Sequence, residues 1–135
     1  MENYELLKLA REAKKNAIAK NSGYKVGAAL LCDNGNVYTG SNIEHSISGL
    51  GACAEQVAFM KALSEGERKF LKIAVVGGMN EDIDSTLSPC GVCRQFMLDF
   101  TKDIKVVFYQ DGKIVEKELK YMMTDLFIFD EKEPK

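Results

Sequence analysis

Two spacings of hydrophobic residues divide this chain into helical and extended segments. Near the N-terminus, apolar side chains recur every three or four residues, which predicts a helix capped by Asn3 and running to about residue 19. Residues 54–64, followed by a stop at Gly66, and residues 91–100 are predicted as two further helices. The apolar face of the first helix would consist of Leu6, Leu9, Ala10, Ala13 and Ala17.

Short apolar runs between these helices predict strands. Residues 26–32 and 37–43 flank the turn Asp33-Asn34-Gly35-Asn36, and because Asn and Gly tolerate positive φ, this region is predicted as a β-hairpin. Because helices and strands alternate, we expect a layered α/β domain with a mixed sheet. Further strands are predicted at residues 73–76, 106–109 and 114–116, the last two joined by a turn at Asp111-Gly112.

Size and charge narrow the possible partners. A chain of 135 residues suits one domain, residues 1–135, and such a domain buries roughly two thirds of the surface that its unfolded chain exposes. The formal net charge is −2 and no basic stripe is present, so no strong field would attract nucleic acid or an anionic membrane. No apolar run is as long as a membrane span, and the first residues lack the features of a secretory signal. We therefore expect a cytoplasmic protein without a nucleic-acid or membrane partner.

Cysteine usage favours a metal site over disulfides. Without a secretory signal, and with a Cys-x-x-Cys pair, metal binding in a reducing compartment is the better interpretation of the four cysteines. Three of them belong to the motifs Cys53-Ala54-Glu55 and Pro89-Cys90-Gly91-Val92-Cys93. Each motif opens a predicted helix, where the partial positive charge and free N–H groups favour thiolates. Cys32 ends an apolar strand and is predicted to be a buried core thiol.

Together the two motifs predict a zinc site with an open coordination position. Cys53, Cys90 and Cys93 could hold Zn²⁺ and leave its fourth tetrahedral position to water. Glu55 stands two residues after a ligand and could move the protons of that water. This arrangement is typical of zinc deaminases that act on cytosine or adenine rings. Because three thiolates and Zn²⁺ carry a net negative charge, we expect Arg94 and backbone amides to offset it.

Such a site would deaminate a ring by hydrolysis. Zinc lowers the pKa of bound water to roughly 7, and the resulting hydroxide would attack the ring carbon that bears the amino group. Glu55 would take the proton of the water, deliver it to the adjacent ring nitrogen, and then help ammonia to leave. The alternative is a closed structural zinc site, which needs a fourth ligand. Cys32 and His45 stay open as candidates for that ligand, although neither has ligand-like spacing.

With these motifs the chain resembles the small cytidine deaminase family, which also includes blasticidin S deaminases, and the resemblance covers nearly the whole chain. It includes residues 26–30 and the segment Thr39-Gly40-Ser41-Asn42-Ile43-Glu44. The resemblance implies a three-layer α/β/α fold with a mixed, roughly five-stranded sheet. It also implies a homotetramer that acts on a small nucleoside, with one Zn²⁺ per subunit held by the three cysteines and with Glu55 as the proton shuttle. By the same resemblance the substrate would be contacted by Tyr24, Asn42, Glu44, Ala54 and, from a neighbouring subunit, Phe127.

The residues themselves support a sugar-binding interpretation of Asn42 and Glu44. The two alternate along a strand end, so both side chains point to the same face. An amide and a carboxylate together can bind adjacent sugar hydroxyls, and such a polar pair discriminates against a ligand that lacks them. The alternative is an ordinary polar strand end near solvent.

The chain also departs from its relatives at several positions. Tetrameric cytidine deaminases usually carry Arg directly after the catalytic Glu, where this chain has Gln56, an uncharged amide that could donate hydrogen bonds but could not cancel thiolate charge. The usual Phe-Pro before the first strand is Tyr24-Lys25, and the usual interface Tyr is Ser48. The usual Leu-Leu-Pro of the closing segment is Met122-Met123-Thr124.

The sequence therefore predicts a deaminase of cytidine and deoxycytidine that serves pyrimidine salvage, against three competing hypotheses. The nearest is the same chemistry on a modified cytosine nucleoside such as blasticidin S, since blasticidin S deaminases share the missing Arg and a Tyr-x-Val start like Tyr24-Lys25-Val26. They generally lack the Asn-x-Glu pair, which favours an intact ribose or deoxyribose. The second is a deaminase of polynucleotides, and the third is a non-catalytic zinc module used for protein contacts.

Overall fold

The computed structural model describes residues 1–79 and 85–127, and within them the strands form one mixed sheet. Helices α2 and α3 have the predicted bounds, and β3, β4 and β5 extend beyond theirs. Every helix in the described residues is too short or too polar to span a membrane. In chain order the elements are α1 (Asn3–Lys14), β1 (Lys25–Cys32), β2 (Val37–Ser41), α2 (Ala54–Ser64), β3 (Phe70–Gly78), α3 (Gly91–Phe100), β4 (Lys105–Gln110), β5 (Lys113–Glu118) and a 3₁₀ turn, Leu119–Met122.

The sheet has the strand order β2-β1-β3-β4-β5 among the described residues. Strand β1 runs antiparallel to both β2 and β3, and β4 runs antiparallel to β5. The pair β3–β4 is parallel, so the chain must cross over between them, and α3 makes this crossover. The predicted mixed sheet is confirmed.

Helices cover both faces of the sheet, which confirms the three layers. Alternate residues of the central strands point to opposite sides, as Ala28 and Ala29 do in β1. Helix α1 packs on one side and helices α2 and α3 pack on the other. Cys32 is fully buried on the α2–α3 side, as predicted. The α1 layer is built from Leu6, Leu7, Ala10, Ala29, Ala74, Val76 and Val107.

Helix α1 differs from the prediction at both ends. It is capped by Glu2 rather than Asn3, in a capping box in which the Glu2 N–H donates to Glu5 Oε1 at 3.4 Å. It ends at Lys14 instead of about residue 19, because Ile18 is held in an extended pairing. The N–H of Ile18 donates to the Asn42 carbonyl at 2.9 Å, and the N–H of Glu44 donates to the Ile18 carbonyl at 2.7 Å. This pairing with the segment after β2 outweighs the helical periodicity of the sequence.

Gly40 lets helix α2 lie directly against strand β2. A Cβ atom at this position would stand 2.5 Å from the Ala54 carbonyl oxygen and 2.6 Å from the Ala58 nitrogen. Both atoms belong to the backbone of the first turns of α2, so neither can move without displacing the helix. Gly40 therefore determines how closely the N-terminal end of α2, which carries Cys53 and Glu55, approaches strand β2.

The variant Gly40→Ala is expected to lower the free energy of unfolding by about 3 kcal/mol, because overpacking forces the α2 backbone away from β2. The matched control is Gly91→Ala, where an added Cβ meets no atom within 4 Å. Urea unfolding of the metal-stripped proteins would measure both. Equal stability of the two variants would show that α2 does not depend on this close approach.

Candidate metal centre and active site

Three cysteines from distant parts of the sequence meet at the start of two helices. The Sγ atoms of Cys53, Cys90 and Cys93 all lie within 4.8 Å of one another. Cys53 is the N-cap of α2, Cys90 is the N-cap of α3, and Cys93 lies in the first turn of α3. The prediction that both motifs open helices is confirmed, and so is the prediction that the three sulfurs come together.

This cluster fits a zinc ion. Sulfurs that share one tetrahedral zinc at about 2.3 Å stand roughly 3.8 Å apart, so only small movements are needed for the thiols to bind it. The pKa of Cys53 is lowered, first because the Cys93 thiol donates a hydrogen bond to it. The pKa of Cys93 is raised because that hydrogen bond and its burial both favour the thiol. Zinc binding would displace the proton of the Cys93 thiol, because the metal binds thiolates.

Neither candidate for a fourth ligand joins the cluster within residues 1–79 and 85–127. Cys32 lies in the hydrophobic core on the α2–α3 side. His45 is exposed and its Nδ1 accepts a hydrogen bond from the Ile47 N–H at 2.9 Å. The described residues therefore supply a three-sulfur donor set, which is the ligand number of a catalytic zinc site and not of a closed structural one.

Glu55 is buried beside the cysteines, with only 4% of its surface exposed. Burial raises the pKa of its carboxyl group, against the opposing effects of hydrogen bonds with its own backbone N–H and with the Cys93 thiol. A carboxyl group with a raised pKa holds a proton more readily than an ordinary carboxyl group, which suits a residue that must both accept and return a proton. Its place in the first turn of α2 puts Glu55 next to Cys53, which is a predicted metal ligand.

A cavity of about 640 Å³ opens over the cysteines and Glu55. This volume lies within the range typical of sites for small-molecule ligands, roughly 300–1,000 Å³. The predicted substrate residues Tyr24, Asn42, Glu44 and Ala54 all line it, together with Glu55 and the three cysteines. The structure therefore brings the predicted metal site and these predicted contact residues into one cavity.

Asn42 holds the segment that carries Tyr24. Its Oδ1 accepts a hydrogen bond from the Val26 N–H at 2.8 Å, and its Nδ2 donates to the Tyr24 carbonyl at 2.9 Å. The side chain is almost fully buried. One acceptor site and one N–H of the amide are left for a ligand. Asn42 thus fixes one wall of the cavity while it keeps capacity to bind what the cavity holds.

Glu44 holds the preceding part of the same wall. Its Oε1 accepts hydrogen bonds from the backbone N–H groups of Asn21 at 2.8 Å and Ser22 at 2.9 Å, and its Oε2 accepts one from Ser22 Oγ at 2.5 Å. The hydrogen bond from the Ser22 hydroxyl is the first cause of its lowered pKa. Glu44 is therefore ionised at neutral pH and faces the same cavity as Asn42.

Asn42→Leu is expected to lower the free energy of unfolding by about 2 kcal/mol or more, because the partially buried N–H of Val26 and carbonyl of Tyr24 would both lose their partner. Asn34→Leu is the control: Asn34 also bonds the backbone, accepting from the Asn36 N–H at 3.0 Å, but it is exposed to water. We expect the control to cost under about 1 kcal/mol. Chemical denaturation measures both, and equal losses would refute a clamping role for Asn42.

Ser22 is a cavity residue that the sequence analysis did not single out. Its hydroxyl donates to Glu44 and accepts from the Tyr24 N–H at 3.0 Å. Ser22 thereby connects Glu44 to the segment that Asn42 holds. In the sequence, Asn21-Ser22-Gly23 indicates only a helix break. The Asn42-x-Glu44 pair was the sequence signal that could have pointed to a residue such as Ser22, because polar side chains inside a fold require hydrogen-bond partners nearby.

Arg94 makes three hydrogen bonds, two to the loop before Cys90 and one to the 3₁₀ turn near the C-terminus. Its Nε donates to the Pro89 carbonyl at 2.7 Å, its Nη1 to the Met122 carbonyl at 2.6 Å and its Nη2 to Ser88 Oγ at 3.0 Å. The expected role in offsetting thiolate charge stays a prediction. What the contacts show is that Arg94 ties the ligand loop to the 3₁₀ turn near the C-terminus.

Phe127 does not line the cavity of its own chain. Its side chain is 68% exposed, and its carbonyl oxygen accepts a hydrogen bond from Gln95 Nε2 at 3.0 Å. A single chain does not test whether the ring enters a neighbouring subunit's pocket, so that role stays a prediction.

Comparison with known proteins agrees with this geometry. Residues 1–110 match the family model "Cytidine and deoxycytidylate deaminase zinc-binding region". The chain is 36% identical to a cytidine deaminase from Sporosarcina psychrophila, covering 94% of this chain and 92% of that protein. It is 29% identical to a blasticidin-S deaminase from Bacillus cereus, over 90% of this chain and 89% of that protein. The crystal structure of a cytidine deaminase from Burkholderia pseudomallei superposes with a TM-score of 0.84 at 35% identity, covering 94% of this chain and all of that one. The chain therefore belongs to the cytidine and deoxycytidylate deaminase family, whose zinc-binding region it carries.

Proposed function

We propose that this protein is a zinc-dependent hydrolase that deaminates cytidine and deoxycytidine to uridine and deoxyuridine, releasing ammonia, in pyrimidine salvage. The observation that carries the proposal is the convergence of three cysteine sulfurs and buried Glu55 in one cavity whose volume suits a small-molecule ligand. The same cavity presents the polar pair Asn42 and Glu44. Relatives that are named cytidine deaminases support the choice of substrate.

The chain's residues divide the chemistry between them. Cys53, Cys90 and Cys93 would hold zinc, which when bound supplies the Lewis acidity that activates water at neutral pH. Glu55 accepts a proton from the attacking water and delivers it to the ring nitrogen next to the reacting carbon. Glu55 then passes the second proton of the attacking oxygen to the amino group, and as the carbon–nitrogen bond breaks and neutral ammonia leaves, the new carbon–oxygen single bond becomes a double bond.

The cavity wall orients the substrate for this exchange. The free capacity of the Asn42 amide and the Glu44 carboxylate suits the hydroxyls of a ribose or deoxyribose, since together they offer a donor and acceptors. Tyr24, whose backbone Asn42 holds, would pack against the substrate. The Ala54 residue, fully buried at the start of α2, lines the floor beside Glu55. A substrate lacking the hydroxyls would leave the polar pair without ligand partners, which weakens its binding.

Steady-state assays with cytidine, deoxycytidine and blasticidin S would separate the proposal from its nearest rival. We expect cytidine and deoxycytidine to be preferred, because Asn42 and Glu44 both face the cavity. Loss of absorbance from the cytosine 4-amino chromophore reports the reaction directly. Zinc analysis of the same sample would relate turnover to metal content. A preference for blasticidin S of over about a hundredfold, nearly 3 kcal/mol in transition-state binding, would overturn the choice.

A polynucleotide substrate is disfavoured by charge. The net charge of −2 supplies no field to attract a phosphate backbone. We expect no binding to single-stranded oligonucleotides at low or physiological salt. Salt-dependent binding of such oligonucleotides would argue for the rival.

The assembly and location of the protein are part of the proposal. A homotetramer would give the exposed Phe127 ring a neighbouring pocket to enter and would cover the exposed side chains of Ile47 and Leu50 near the cavity. Light scattering of the purified protein measures this. A cytoplasmic location suits three thiolates that must stay reduced to bind metal.

A further inference from the structure

Gln56 occupies the position after Glu55, and it contacts the metal ligand Cys53 in two ways. The backbone N–H of Cys53 donates to Gln56 Oε1 at 2.9 Å. In the opposite direction, the backbone N–H of Gln56 donates to the Cys53 side chain. These reciprocal bonds form a capping box at the start of α2, with a thiol in the place that Ser or Thr usually takes.

Resting on the proposed zinc site, we propose that Gln56 is a positioning residue for the metal ligand Cys53. One bond of the box fixes the backbone of Cys53, and the other fixes its sulfur. The Cα and Sγ of this ligand are thereby held in one orientation before any metal binds.

This role depends on an acceptor atom. The Gln56 amide is expected from the sequence to donate hydrogen bonds, and in the structure its oxygen accepts one. An Arg side chain at this position would have donors only and could not close this box. The role therefore requires a side chain that, like Gln56, offers an acceptor to the backbone N–H of Cys53.

The other two ligands are held differently. Helix α3 is capped by Cys90 and has no capping box, and its third position is the ligand Cys93 itself. The loop before Cys90 is held by Arg94, through Pro89 and Ser88. Cys53 is therefore the ligand whose orientation depends on Gln56.

A second capping box in the chain provides a matched control. In α1, the N-cap Glu2 and the third helical residue Glu5 form the same reciprocal bonds, with the Glu2 N–H donating to Glu5 Oε1 at 3.4 Å. No metal ligand belongs to that box. Breaking it should affect helix stability alone, whereas breaking the α2 box should also loosen a ligand.

The test compares zinc release and stability in the same variants. Gln56→Met keeps the length of the side chain without the acceptor, Gln56→Ala also lacks it but favours helix, and Gln56→Glu keeps it. Glu5→Met breaks the α1 box. Zinc release from each loaded protein is followed with a chelating dye in excess, and the melting temperature of each metal-stripped protein is measured alongside.

We expect Gln56→Met and Gln56→Ala to lose zinc about tenfold to a hundredfold faster than the unmodified protein, the usual effect of removing a group that orients a metal ligand. Gln56→Glu should release zinc within about threefold of the original rate, because the acceptor is retained and an added negative charge does not favour loss of a dication. Glu5→Met should lower the melting temperature and leave zinc release unchanged.

Two results would overturn the inference. Unchanged zinc release in Gln56→Met and Gln56→Ala would show that the box is a helix cap only. Release from Gln56→Glu as fast as from Gln56→Met would show that the acceptor is not what matters. Failure of the proposed zinc site would look different, since the unmodified protein would then contain no zinc at all. If the protein holds zinc but does not deaminate cytidine, only the proposed substrate fails, and the comparison of zinc release still tests Gln56.

Discussion

Glu55→Gln is expected to reduce kcat about a thousandfold or more while zinc content and fold are retained. The substitution preserves the shape of a side chain that is almost fully buried, but an amide cannot carry a proton between water, ring nitrogen and leaving amine. Because burial raises the pKa of Glu55 in the folded protein, folding favours its protonated form. The stability that this provides is present at low pH and is lost as pH rises through the raised pKa. At neutral pH we therefore expect the metal-stripped Gln variant to be at least as stable as the original protein.

The matched control for this variant is Glu65→Gln. Glu65 caps the other end of the same helix, α2, and is exposed. It should retain full turnover, zinc and stability within about 0.5 kcal/mol. Turnover, bound zinc and thermal unfolding are measured for both proteins. Activity of Glu55→Gln within tenfold of the original would refute the proton-shuttle role, and zinc loss in that variant would mean that Glu55 is a ligand.

Cys90→Ala is expected to abolish zinc binding and activity with little effect on the metal-stripped fold. Cys90 is exposed, so its removal leaves no cavity in the core. Two sulfurs alone make a much weaker zinc site than three. Loss of the metal also removes the free energy of zinc binding, which stabilises the folded state. Zinc analysis after gel filtration should give one ion per chain for the original protein and close to none for the variant.

Cys32→Ala should show the reverse pattern. Cys32 is fully buried in the α2–α3 core and lies outside the metal cluster. Its truncation should cost about 1 kcal/mol of unfolding free energy and leave zinc and turnover intact. Urea unfolding and metal analysis are carried out on both Cys90→Ala and Cys32→Ala, so that stability and bound zinc can be compared between the two variants. Zinc retained by Cys90→Ala, or lost by Cys32→Ala, would mean that the three-sulfur assignment is wrong.

Local patterns were enough to predict most elements of this protein and the chemistry of its site. Helices α2 and α3 have the predicted bounds because the signals that mark them, their apolar spacing and their start residues, are local in the sequence. The zinc motifs were readable for the same reason, since each pairs a cysteine with the start of a helix. The end of α1 was not predictable in this way, because Ile18 pairs with Ile43, far along the chain.

The sequence by itself determined the types of group present: three thiols, one carboxylate at fixed spacing and an Asn-x-Glu pair. The motifs predicted that Cys53, Cys90 and Cys93 would meet, whereas the tertiary structure alone decided the distances between these groups and the partners of their neighbours. It brings Cys90 and Cys93 to Cys53 and places Cys32 in the core. It also shows that the side-chain oxygen of Gln56, which the sequence marks only as lacking a positive charge, accepts a hydrogen bond from the backbone N–H of Cys53. The physical reason is range: periodicity and capping act over about one helical turn, whereas distances between remote residues follow from how α2 and α3 pack on the same face of the sheet.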